Sequence, residues 1–410
     1  MKTMWLNAWA SMKMDKEQRW WSFGGNFDNV IRNQMNLPQK IIIKDDTLRE
    51  GEETPGTYFT IEQKVEIAKL LEEMGIPEIE VGYAAGIKEH ADTFRTLKKE
   101  GIKMRLSSHA RLYAKDIKKE VDDILKAEAD IINFLLVPDP ILKTKDAVFK
   151  RITEGIEYAK SQGAYVAFGS GRVIPRYWKR FLELAVDAGV DRIVVYDGNG
   201  CALPVAFKNV VVFTKNIINN IPVEVHTHND LGLAVATTLA GVEGGAEIVD
   251  VVFNGLGDRA GNAATEEVIM ALEILYGINL NLKLEKIMEI SNYIEKHSTP
   301  LQAHKPIVGK NCFIHESDLH VEQILRGNWV TWELYQPHIV GQSRKLIFGA
   351  TTLQDRAISA KLENMGLNPT KKNIEILRRK IQEKIKNQEY ITEEELEKLA
   401  FGLKNKQGIL

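Results

Sequence analysis

A chain of 410 residues with a formal net charge of −2 and interleaved acidic and basic residues has no basic face of the kind that neutralises phosphate backbones, so nucleic acid is not an expected partner. Its two cysteines, Cys201 and Cys312, are far apart and support neither a disulfide framework nor a paired-cysteine metal site, which fits a reducing cytoplasm. No apolar run approaches the roughly 18 residues of a membrane span, and the length suits one large core with a smaller appendage.

Residues 1–38 read as an N-terminal arm. Its tryptophans, Trp5, Trp9, Trp20 and Trp21, are interrupted by polar residues, so the arm is not a signal peptide and is expected to pack on the barrel or on a partner subunit. From residue 40 onward, short β-branched runs alternate with amphipathic helical patterns. The candidate strands are 40–44, 78–83, 103–107, 130–137, 164–170, 192–197, 223–228 and 248–254. Thr60 to Gln63 reads as a capping box opening the first helix, with Gly75 as its stop. Gly101, Gly163 and Gly189 close later units in the same way. Eight such units predict a (β/α)8 TIM barrel over residues 39–285, whose active site belongs at the C-terminal strand ends. A doubly wound sheet competes, but no GxGxxG follows the first strand. Beyond the barrel, 286–410 reads as a mostly helical, dimer-forming subdomain, with Ile374, Ile376, Leu377, Ile381 and Ile385 as an apolar stripe.

The chemistry-bearing residues fall at the predicted strand ends. His226 and His228 stand in i, i+2 register, so a strand points both imidazoles to one face, as two ligands of one metal ion require. Far upstream, Asp45-Asp46-Thr47-Leu48-Arg49-Glu50-Gly51-Glu52 is a carboxylate-rich turn after the first strand. A carboxylate and two imidazoles with open coordination positions suit a divalent ion that also holds substrate. If a 2-oxo acid chelated that ion, Arg49 would share the charge developing on its carbonyl oxygen. His109 and Arg111 are read as following the third strand, Asp197 as ending the sixth, and Asn254 to Asn262 as following the eighth.

Three motifs in order, Asp45 to Glu52, His226 to Gly232 and Asn254 to Asn262, resemble the 2-isopropylmalate, homocitrate and citramalate synthases, within the superfamily of metal-dependent barrels that includes HMG-CoA lyase. The resemblance implies Glu50, His226 and His228 as metal ligands, with Asn262 as an additional or water-bridged one, and a divalent ion such as Mg, Mn, Zn or Co. It implies Arg49 as the carbonyl-polarising residue, and His109 and Arg111 as pocket residues that bind substrate. Gly309 to His320 is similar to the family's post-barrel histidine motif, making His320 the acid/base candidate, delivered across a homodimer interface. The implied reaction, in amino-acid biosynthesis, is a condensation of acetyl-CoA with a small 2-oxo acid, followed by thioester hydrolysis.

The chain departs from the pattern at several points. Gly171 stands where the synthases carry a glutamate after the fifth strand, and Gly198 where they carry a threonine. Glu53 replaces a glutamine, and only Lys143 approaches the position of the homocitrate synthases' arginine. The missing glutamate keeps an aldolase or acyl-CoA lyase as the alternative reading. A non-catalytic binding protein on the same scaffold is the third.

Overall fold

The computed structural model describes residues 12–14, 17, 19–137, 144–171 and 175–407; Trp5, Trp9, Lys143 and Arg172 lie outside them. The chain divides into two compact units, residues 24–301 and residues 1–23 with 302–410.

The first unit is a closed barrel of eight parallel strands. They are β1 (Ile42–Asp45), β2 (Glu78–Gly82), β3 (Arg105–Arg111), β4 (Ile131–Leu136), β5 (Tyr165–Ser170), β6 (Arg192–Asp197), β7 (Val223–Thr227) and β8 (Ile248–Val251). Each is followed by a helix: α1 (Ile61–Met74), α2 (Lys88–Lys99), α3 (Ile117–Lys126), α4 (Lys145–Ser161), α5 (Pro175–Asp187), α6 (Pro204–Ile218), α7 (Ala234–Glu243) and α8 (Thr265–Ile274). This is the expected (β/α)8 barrel, and its local punctuation follows from the sequence. Thr60 and Gln63 exchange side-chain and backbone hydrogen bonds at the start of α1, and Gly75 ends that helix in the left-handed region at φ 105°.

Two strand ends differ from the sequence reading by three residues or more. Pairing of β3 with β4 continues through Arg111 opposite Leu135, so His109 and Arg111 lie within the strand and not after it. The eighth strand stops at Val251, because Asn254 takes φ 62° and turns the chain out of the ladder. The barrel unit also retains the helix Ile287–His297, which the sequence reading placed beyond the boundary at 285. Ser291 and Asn254 bond each other twice, at 2.5 and 3.1 Å, and Gln63 meets His297 at 2.8 Å.

The interior of the barrel has two halves. On β4 to β6 it is largely apolar, built from Ile131, Ala167, Val194 and Tyr196 with Leu135 and Tyr165 against them, although Asn133 donates to the Tyr196 hydroxyl at 3.2 Å and Arg192 at the start of β6 serves the charged half. On β7, β8, β1 and β2 it is ionic. There, Lys44 Nζ meets Glu80 at 2.7 Å, Glu224 at 2.9 Å and Asp250 at 3.1 Å, all fully buried. Below it, Arg192 pairs with Glu78 and with Glu224 at 2.5 and 2.7 Å. Buried charges are tolerated only when compensated in this way.

In the second unit, helices Asp318–Leu325, Asp355–Asn364, Lys371–Ile385 and Glu393–Gln407 accompany a three-stranded sheet of Ile314–His315, Lys345–Phe348 and Ile391–Thr392. Its core includes Val321, Phe348, Ile358, Leu377, Ile381 and Leu396. From the expected stripe, Ile374, Leu377 and Ile381 are buried while Ile376 is only half-buried. Trp20 pairs with Tyr335, and the Trp21 indole donates to the Glu333 carbonyl at 2.9 Å, so the arm's end joins this unit. No helix among the described residues is long and apolar enough to cross a membrane.

Candidate metal centre

Glu50, His226 and His228 converge at the C-terminal mouth of the barrel, their ligand atoms all within 4.8 Å of one another. His226 Nε2 lies 3.3 Å from His228 Nε2, and His228 Nε2 lies 3.7 Å from Glu50 Oε1. Asn262 brings its amide to 3.0 Å from His226 Nε2, and its strand-like segment bridges to His228. The loop that delivers Asn262 depends on glycine. A Cβ on Gly257, at φ 133°, would sit 2.1 Å from Asn262 Oδ1.

Strand geometry supplies the convergence. Glu224, His226 and His228 occupy alternate positions from β7 onward, and β8 sets Asp250 directly beside His226 in register. Asp250 Oδ2 reaches His226 Nδ1 at 3.2 Å. Against the cost of burial, Asp250 and then Glu50 raise the proton affinity of His226; the carboxylate favours a proton on Nδ1, so a cation at the cluster would displace only the Nε2 proton, the arrangement found around histidine metal ligands. Glu50 is carried by a single tight turn after β1, where Asp46 accepts from the backbone N–H groups of both Arg49 and Glu50 through its carbonyl.

The residues present fit a divalent cation. Glu50 Oε1 and Asn262 Oδ1 are buried without a hydrogen-bond partner among the described residues, an arrangement that is costly unless something else satisfies the cluster. The charges argue the same way. Along the ionic half, Asp46, Glu50, Glu78, Glu80, Glu224 and Asp250 are buried with only Lys44, Arg49 and Arg192 as buried cations, and Arg105 reaches Glu78 from the rim at 3.6 Å.

Burial raises the Glu50 carboxyl, but neighbouring positive charge, that of Arg49 foremost, outweighs it and holds it below the usual carboxylate range. His228 is pushed down to about 4, by burial and then by neighbouring His226, so it is a neutral donor of a lone pair.

Arg49 lies against the cluster. Its guanidinium grips Asp46 through two nitrogens, contacts Glu50, and reaches Glu53 at 3.3 Å. His109 is buried on β3 with Nδ1 at 3.2 Å from Glu80 Oε1 and its ring edge-on to Tyr83. Arg111 turns to α3, giving a two-pronged pair to Glu120 at 2.8 and 2.9 Å and a third bond to the Ala85 carbonyl. His320 belongs to the other unit, where it stacks on Trp332 at 3.7 Å beside the His315–Glu333–Arg344 chain of contacts. The pattern of the sequence did not single out Lys44, Glu80 or Asp250. The usable signal was there, as charged residues at alternate positions of otherwise apolar strands.

The HMGL-like family matches residues 40–294, and the homocitrate synthase post-HMGL domain-like family matches residues 307–389. Homocitrate synthase AksA of Methanopyrus kandleri is 36% identical, over 92% of this chain and 95% of that protein. A probable 2-isopropylmalate synthase of Ignicoccus hospitalis is 39% identical over 77% of this chain and 80% of its own length. The (R)-citramalate synthase CimA of Methanocaldococcus jannaschii is 36% identical over 84% of this chain and 70% of its own length. The chain belongs to this synthase family. Among solved structures, the HMG-CoA lyase of Bacillus subtilis superposes with a TM-score of 0.57 at 19% identity, over 66% of this chain and 98% of the lyase, a likeness of fold. Membership covers both the barrel and the region after it.

Proposed function

We propose that the protein is an acyltransferase that condenses an acyl-CoA, in the first place acetyl-CoA, with a small 2-oxo acid to give a 2-hydroxy dicarboxylic acid and CoA. The observation that carries this reading is the convergence of Glu50, His226, His228 and Asn262 on one point beside Arg49. Relatives named homocitrate, 2-isopropylmalate and citramalate synthase support the class of reaction.

Glu50, His226 and His228 would hold a divalent ion of the Mg, Mn, Zn or Co kind, with Asn262 as a further ligand. When bound, such an ion supplies Lewis-acid polarisation of a keto oxygen. Arg49, kept planar and fixed by Asp46, is set to stabilise the negative charge that develops on that oxygen as the new carbon–carbon bond forms. Asp250 holds His226 in the tautomer a ligand needs. His109 lines the oxo-acid side of the pocket, while Arg111, paired with Glu120, braces the end of β3; His320 serves as an acid/base group contributed by the partner in a homodimer. The enzyme acts in the cytoplasm, in amino-acid biosynthesis.

Purified protein with Mg2+ or Mn2+, acetyl-CoA and a panel of 2-oxo acids tests this: free CoA, read with a thiol reagent, should rise only when the right oxo acid is present. No oxo-acid-dependent release across the panel sinks the reading. One observation favours a second reading, a carbon–carbon lyase: the chain offers no carboxylate at Gly171, where a Cβ would meet only Val137, Leu135 and the Leu136 carbonyl. Cleavage of hydroxyacyl-CoA substrates without any condensation would select it.

A further inference from the structure

Two carboxylate–imidazole pairs fan out from one ammonium. Lys44 Nζ holds Asp250 at 3.1 Å and Glu80 at 2.7 Å, and these carboxylates reach His226 Nδ1 and His109 Nδ1 at 3.2 Å each. One pair serves the metal centre. The other, on β2 and β3, has no role in it. Lys44 keeps Glu80 ionised, and the carboxylate 3.2 Å from Nδ1 favours the tautomer with its proton on that nitrogen, which leaves a lone pair on Nε2. No hydrogen bond from the described residues reaches that Nε2.

We infer that His109, oriented by Glu80, is the general base that removes the methyl proton of the acyl-CoA. This rests on the condensing reading above and deepens it. The stretch after β5, Gly169-Ser170-Gly171, offers no titratable side chain for the task, whereas His109 is a buried imidazole held in one tautomer. The groups facing it are Glu80 and Tyr83 from the β2 side and Arg49 and Lys44 from the β1 side. Burial, then Arg49, lower its proton affinity in the resting protein, so it waits unprotonated. In the step, the Nε2 lone pair takes the proton and the C–H electron pair becomes the enolate. The enolate carbon bonds the keto carbon, and the carbonyl π pair moves to its oxygen beside Arg49. Proton return to that oxygen and attack of water on the thioester, breaking the C–S bond, give the hydroxy acid carboxylate and CoA thiol. Glu80 acts through His109 and is a positioning residue.

The test has two arms. Nitrogen-15 NMR of the wild-type protein should find His109 neutral with the proton on Nδ1; an Nε2–H tautomer or an imidazolium at neutral pH overturns the proposal whatever the activity. In kinetics, His109→Gln should lower kcat by about 10²- to 10⁴-fold. The Mn2+ affinity should stay within about threefold of wild type, and the isotope effect with methyl-deuterated acetyl-CoA should rise above the wild-type value. Added imidazole should restore turnover to His109→Ala, which a purely structural role would not allow, and Glu80→Gln should lower kcat with the Nδ1 proton lost from the NMR spectrum. A His109→Gln enzyme of near-normal kcat, or one whose defect lies in KM alone, overturns the proposal. A wild-type protein that shows the expected tautomer but no condensation instead removes the condensing reading, and this base with it.

Discussion

His226 Nδ1 lies 3.2 Å from the Asp250 carboxylate, and Lys44 stands behind that carboxylate at 3.1 Å. The imidazole that faces the candidate ion is thus fixed from beneath. Asp250→Asn should weaken Mn2+ binding by about 10- to 100-fold, since an amide can present its N–H to Nδ1 and reverse the tautomer. Titration calorimetry with Mn2+ checks it, and unchanged affinity would show that His226 needs no such partner.

Removing the ion should cost stability. With free ion at 100 times its dissociation constant the bound state gains about 2.7 kcal/mol, so chelation should lower the thermal midpoint, and Glu50→Gln should abolish the difference between chelated and ion-loaded samples. A midpoint indifferent to chelation in the wild type would speak against an ion at this site.

Arg49→Lys keeps one positive charge but loses the fork that grips Asp46. Turnover should fall by about 10²- to 10³-fold while the bound metal, measured by elemental analysis, stays stoichiometric. Loss of metal together with activity would assign Arg49 to holding Glu50 in place.

A methyl group at Gly257 should strike Asn262. Because the backbone there is at φ 133° and the added carbon would lie 2.1 Å from Asn262 Oδ1, Gly257→Ala should destabilise the fold by about 1–3 kcal/mol and reduce Mn2+ affinity as well. Urea unfolding and calorimetry read the two effects separately.

His90 gives the fold an acid-sensitive point. Its Nδ1 accepts the Tyr83 N–H at 3.0 Å, and burial, then Lys64, lower its pKa to about 4. The unfolded chain takes up a proton near the ordinary value of about 6.5. The folded state refuses that proton until about pH 4. The contribution is therefore complete above the unfolded value and is lost as pH falls towards the folded one, on the order of 1–2 kcal/mol for a ring that is partly exposed. His90→Asn keeps an acceptor without the titration, so its urea midpoint should fall less between pH 7.5 and 5; an unchanged slope would exclude His90 as the cause.

The eight strands were legible because apolar runs, capping residues and stop glycines repeated on a regular spacing. Arg49, Glu50, His226 and His228 were legible because a strand's period of two and a motif order translate directly into a common mouth. The end of β3 was missed, since His109 and Arg111 are polar and polar residues usually signal a strand's end, yet inside a barrel they still pair through to Leu135. Lys44, Glu80 and Asp250 were passed over for the opposite reason: a lone charge in an apolar run is ambiguous until the neighbouring strand shows what compensates it. Arg111 illustrates the limit of position alone, because its partner Glu120 sits on the following helix and no spacing rule selects it over a substrate.

The two-toned interior also bears on how the chain finds its pairing. A shift of β7 by a single residue would turn Glu224, His226 and His228 outward and present Val223, Val225 and Thr227 to Lys44, stranding an ammonium in hydrocarbon. Misaligned barrels are thereby penalised by the same side chains that build the reaction centre, so selection for chemistry and selection against slippage act on one set of positions.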